Sequence, residues 1–215
     1  NSALFLNANN ESVSKIVLLT ERFYTQKELG IDDSNSKVVQ EVIGHRMTFA
    51  DVWDYIDSNG VEGYVVVAHA DIFLDKTIEE CKSSMLHSTP CVAALTRYEY
   101  SASAEGNLDS CQLFMRCPER CQDSWVWHTD GMKTPSTKKR QVFDIPIGIV
   151  SAANGNAYLF GLVGASLYND PKRIRTYHMH QSGFRTDQER FTGNVRFIFP
   201  ASLVGSPGLY AYRGL

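Results

Sequence analysis

A chain of 215 residues with 43% apolar and 21% charged residues fits one large globular domain. At this length about 70% of the unfolded surface can be buried, so neither disulfide staples nor a structural metal is needed to fold it. A net charge of -3 and a pI of 6.1 argue against a protein built mainly to hold nucleic acid, and no nucleic-acid partner is expected.

The five cysteines (Cys81, Cys91, Cys111, Cys117, Cys121) are odd in number and irregularly spaced, and none forms a C-x2-C pair. They read as reduced thiols of a cytoplasmic protein. No apolar run approaches the roughly 20 residues of a membrane span, and no signal-like segment opens the chain at Asn1. Both ends are compatible with further domains of the same polypeptide.

In chain order, Lys15-Ile-Val-Leu-Leu-Thr20 reads as a buried strand. Segment 48–59 reads as a helix: Phe49, Val52, Trp53 and Ile56 share one face, Thr48 is a natural N-cap, and Asp51 places a negative charge in the first turn. Tyr64-Val-Val-Val-Ala68 is a second strand. A helix is expected from Asp75 or Thr77 to before Pro90, then a third strand, Cys91-Val-Ala-Ala-Leu-Thr96. A loop at 131–140, a helix at 153–167 and a strand at 173–180 complete the reading. Strands alternating with helices predict an α/β single domain with a mostly parallel central sheet flanked by helices.

In open α/β sheets ligands bind beyond the carboxyl ends of the strands. Three polar clusters fall there: Thr20-Glu21-Arg22, His69-Ala70-Asp71 and Thr96-Arg97. Asp71 alone reads more readily as a turn or cap residue. His178 and His180, two residues apart on a strand, share a face, and either reads equally well as a hydrogen-bonded structural histidine. Asp123 reads as a functional carboxylate or as the N-cap of a helix starting at Ser124. Trp125 and Trp127 read as sugar platforms or, more commonly for tryptophan, as core.

Tyr64-Val-Val-Val-Ala-His-Ala-Asp-Ile-Phe-Leu-Asp75 resembles the metal-binding segment of GT-A-fold glycosyltransferases, a buried strand ending in a D-x-D-type motif. Ala94-Leu-Thr-Arg-Tyr98 and Cys121-Gln-Asp-Ser-Trp-Val-Trp127 are similar to the "LTRW … SQDxW" pattern of one subset, found in bacteria and large algal (chlorella) viruses. Phe143-Asp144, Asn154-Gly155-Asn156 and Tyr177-His-Met-His180 match its later landmarks, so the resemblance runs from Lys15 to about Arg185. One departure is that His69 replaces the first acid of the D-x-D motif.

The resemblance implies a GT-A-like, Rossmann-related fold and a hexosyltransferase acting in the cytoplasm (the host's, for a viral protein). It would carry a hexose from a UDP-sugar to a glycan or glycoprotein acceptor. It implies Mn2+ or Mg2+ on Asp71, with His180, ahead of His178, closing over the metal or diphosphate. Thr20, Glu21, Arg22 and Arg46 would face the nucleotide. His69, Ala70, Arg97 and His178 would line the diphosphate, and Asp123 and Arg97 would act at the sugar. Such chemistry needs a cation because the leaving diphosphate gathers negative charge. Two rivals stay open. A sugar nucleotidyltransferase would carry a glycine-rich loop after the first strand, where Leu19-Thr-Glu-Arg-Phe-Tyr24 has no glycine. A non-catalytic carbohydrate-binding domain would need no metal carboxylate.

Overall fold

The computed structural model describes residues 2–32, 35–101, 107–179, 190–198 and 200. Its helices are α1 (Ser2–Ala8), α2 (Gln26–Leu29), α3 (Phe49–Ser58), α4 (Thr137–Arg140) and α5 (Ala152–Leu162). The first five strands are β1 (Ile16–Thr20), β2 (Val38–Val42), β3 (Tyr64–Ala68), β4 (Ile72–Leu74) and β5 (Cys91–Thr96). The others are β6 (Tyr98–Tyr100), β7 (Gln112–Leu113), β8 (Gln122–His128), β9 (Ser166–Tyr168) and β10 (Thr176–Met179).

The strands form three sheets among the described residues: a parallel pair β1-β2, and two four-stranded sheets ordered β3-β8-β5-β9 and β4-β10-β6-β7. The expected mostly parallel central sheet is therefore corrected to a mixed one. β8 runs antiparallel between β3 and β5, whereas β9 is parallel to β5. The cause lies in the connection: among its described residues, the chain from β5 to β8 holds short strands and 3-10 turns and no α-helix to carry it across the sheet into a parallel return.

Both faces of the β3-β8-β5-β9 sheet are covered, which explains why Cys91–Thr96 and Gln122–His128 are buried along their whole length. Alternate residues go to opposite sides. Val67, Val92, Ala94, Trp125, Trp127 and Leu167 pack under α3 and α5. Cys91, Ala93, Leu95 and Val126 meet Ile78, Cys81 and Leu86 on the other side. Trp125 and Trp127 are thus core, in contact with Phe49, Trp53 and Phe160.

α3 forms as its sequence predicts. Asp51 N–H donates to Thr48 Oγ1 at 3.3 Å, Thr48 N–H donates to Asp51 Oδ2 at 2.7 Å, and Phe49, Val52, Trp53 and Ile56 are its buried face. Three other expectations change. The helix expected after Asp75 is two 3-10 turns, Lys76–Ser83 and Met85–His87, separated by the extended Ser84. The helix expected over 153–167 stops at Leu162, since Gly164 takes a left-handed turn (φ 95°) and the chain pairs again as β9. Asp123 caps no helix, because it lies inside β8.

Candidate functional site

The turn between β3 and β4 carries His69, Ala70 and Asp71. His69 N–H donates to Asp123 O at 3.1 Å, and Ile72 N–H donates to His69 O at 3.0 Å, tying the turn to β8 and closing it. Asp71 O accepts Met179 N–H at 2.8 Å, which draws in β10. Arg97 sits between β5 and β6, Glu99 inside β6, and His178 opposite Glu99 in the parallel β6–β10 register.

These side chains form a continuous polar chain. The Arg97 guanidinium pairs with Asp123 through Nη1 and with Glu99 through Nε at 2.8 Å. His178 bridges Glu99 (Nδ1, 3.1 Å) and Asp71 (Nε2, 3.1 Å). His69 Nδ1 stands 3.6 Å from Asp123 Oδ1. Three carboxylates therefore meet one guanidinium and two imidazoles, with Arg97, Asp123 and His178 largely buried.

Burial works against each charge here, and the partners outweigh it. Desolvation pulls Arg97 down, but Asp123 and Glu99 raise it above the usual arginine range. Desolvation likewise opposes ionisation of Asp71 and Glu99, yet His178 beside Asp71, and Arg97 and His178 beside Glu99, hold both carboxyls below their ordinary values. His178 is lowered by burial and by Arg97, but its two carboxylate partners raise it on balance. One atom is left over: Asp71 Oδ1 is buried and has no hydrogen-bond partner among the described residues.

The cluster forms one wall of a cleft of about 1500 Å3 between β1 and β3. Thr20, Glu21, Arg46, His69, Ala70, Asp71, Arg97, Asp123 and His178 all line it, so residues 158 positions apart in sequence (20 to 178) share one cavity. Arg46 is exposed there and forms no ion pair among the described residues. The segment 148–151 adds a rim with Gly148 at φ 91° and Ser151 at φ 68°, the described non-glycine residue with a left-handed backbone.

Some expected site residues go elsewhere. Arg22 does not line the cleft: it pairs with Glu28 Oε1 at 2.9 Å, a carboxylate held by the α2 capping box, and lies over the Tyr24 ring. Thr96 is buried and structural: its N–H and Oγ1 bond Asn169 and its hydroxyl donates to Pro118 O. His180 lies outside the described residues. The segment 131–140, expected as a loop, ends in α4 (Thr137–Arg140), whose Arg140 clasps Asp54 at 2.6 Å and Asp57 at 2.9 Å on α3. Glu99 is the site residue that the sequence reading missed. Its signal was a lone acid between Tyr98 and Tyr100, and only the β6–β10 pairing gives it a role.

A group of three potential metal ligands, His87, His128 and Asp130, has its ligand atoms within 4.8 Å of one another, and Asp71 is not part of it. Among the described residues, no helix is long and apolar enough to cross a membrane. Compared with family models, curated proteins and solved structures, the chain matches none of them.

Proposed function

We propose that this cleft is the donor site of a metal-dependent, GT-A-like glycosyltransferase that transfers a hexose from a UDP-sugar to a glycan hydroxyl. The observation that carries the reading is the convergence of His69, Asp71, Arg97, Asp123 and His178 on one wall, with Asp71 Oδ1 buried and unpartnered. A buried carboxylate oxygen without a donor costs about 1–3 kcal/mol, which a ligand would relieve. The donor set fits Mn2+ or Mg2+: Asp71 would hold the ion with the diphosphate oxygens, and His178 would keep its carboxylate oriented. When bound, the ion supplies charge neutralisation for the departing diphosphate.

The chain's own residues account for the rest. Arg97, fixed by two carboxylates, offers its remaining N–H donors to the donor's oxygens with little loss of freedom. Glu99 ties Arg97 to His178, one carboxylate oxygen on each. Thr20, Glu21 and Arg46 lie on the β1 side of the cleft and would take the ribose and base. Asp123, with His69 3.6 Å away, would face the sugar and take the proton leaving the acceptor hydroxyl. The glycine-free stretch Leu19-Thr-Glu-Arg-Phe-Tyr24 after β1 keeps the reading away from a nucleotidyltransferase.

Titration of UDP-glucose by calorimetry, with and without Mn2+, tests this reading. Affinity should rise at least tenfold with Mn2+ in the wild type and lose that gain in Asp71→Asn. Metal-independent binding that survives Asp71→Asn would fit a carbohydrate or nucleotide module without the transferase site.

A further inference from the structure

At the other end of β8, away from the cleft, we propose that His87, His128 and Asp130 form a second metal site, one for Zn2+. His87 ends the 3-10 turn Met85–His87, His128 ends β8, and Asp130 lies on the turn that follows. Asp130 Oδ2 is 3.4 Å from His87 Nε2 and 3.7 Å from His128 Nδ1. With metal–ligand bonds of about 2.0–2.1 Å, the edges of a tetrahedron are about 3.4 Å, so both distances to Asp130 are already close to ligand spacing, and all three ligand atoms lie within 4.8 Å of one another.

The frame around them is built rather than accidental. A Cβ on Gly131 would lie 2.1 Å from Leu86 O and 2.5 Å from Thr89 O, so glycine alone lets the 128–132 turn press against the 86–89 loop. Met132 N–H donates to His128 O at 2.8 Å, which closes that turn. The Tyr64 ring meets the buried His128 imidazole edge-on at 4.6 Å and limits its rotation. His128 Nδ1 accepts Asp130 N–H at 3.0 Å, so this nitrogen presents a lone pair. The ion would displace that donor, and the amide, on an exposed turn, would pass to water.

Two imidazoles and one carboxylate match a three-ligand zinc site completed by water, whereas Mg2+ and Mn2+ prefer the oxygen-rich cleft. Lys133 Nζ, 3.1 Å from Asp130, holds the other carboxylate oxygen and leaves Oδ2 to the ion. Bound there, Zn2+ would clamp the 85–89 loop to the end of β8 and stabilise the fold in proportion to its occupancy.

Zn2+ alone, titrated by calorimetry into the full chain and followed by thermal melting, tests this. Wild type and Asp71→Asn should both bind an ion that raises the melting temperature. His87→Ala and Asp130→Asn, both at exposed positions, should weaken that ion at least tenfold and abolish the rise. Absence of binding in the wild type, persistence of the stabilising ion in His87→Ala, or its loss in Asp71→Asn would each overturn the site. Because the Asp71→Asn arm also disables the proposed donor cleft, failure of one proposal is distinguishable from failure of the other.

Discussion

Glu99 connects the two ends of the cluster, since one carboxylate oxygen takes Arg97 and the other takes His178. Glu99→Gln keeps the shape and one acceptor but removes the charge that fixes both cations. Turnover should fall about tenfold while the melting temperature moves by only a few degrees, because the residue is one-third exposed (36%) and its partners keep second carboxylates. A purely structural residue would shift melting and leave kcat/KM alone. Asp123→Asn is the harsher change: with near-normal donor affinity, turnover should drop roughly 100-fold, the scale of a lost general base. Wild-type turnover in a folded Asp123→Asn protein would remove Asp123 from the mechanism. His69, Asp71, Arg97 and His178 were legible because each sits at the end of, or inside, a segment with a clear strand pattern, whereas Asp123 was picked out by the motif around it and its place inside β8 was not foreseen. Glu99 was not legible, since its importance depends on pairing with residue 178, and periodicity carries no information about a partner 79 residues away.

At the level of elements, α3 was legible to the residue because its cap, its acidic first turn and its apolar face all agree. The mixed sheet was not: β8 opens with Gln122, Asp123 and Ser124, polar residues that hide a strand buried on both faces, so no antiparallel neighbour for β3 and β5 was visible. Local chemistry also stopped α5 early, through the Gly164 turn that a longer apolar pattern masked. Two measurements address these elements. Phe160, fully buried, is in ring contact with Phe49, Trp53, Trp125, Trp127 and Phe143, so Phe160→Ala should cost about 3–5 kcal/mol in chemical denaturation. In α2, Arg22 first, and then the Thr25 backbone and hydroxyl, lower the Glu28 carboxyl from 4.5 to about 2. A carboxyl depressed in the folded state contributes stability that is present above pH 4.5 and is lost as pH falls toward 2. Direct NMR titration of Glu28 should give that low midpoint, and an ordinary one would mean that the capping box and the Arg22 pair do not hold in solution.

Across the whole molecule, the described sheets differ in how firmly they are tied in. β5 and β8 are central strands with covered faces, whereas β1 is half-buried along its length and pairs with β2 alone. Amide exchange should therefore be slowest in β5 and β8 and clearly faster in β1 and β2, which open without global unfolding. Equal protection in all four strands would mean that the cleft wall is as rigid as the core. The order β4-β10-β6-β7 has a consequence for biosynthesis. β10 inserts between strands made about 80 and 100 residues earlier, so β4 and β6 cannot be joined until residues 176–179 emerge from the ribosome. Until then Asp71 and Glu99 wait on a nascent chain without His178 between them. Ribosome-bound chains stalled before β10 should carry α3 and its packed strands yet fail to assemble this polar network.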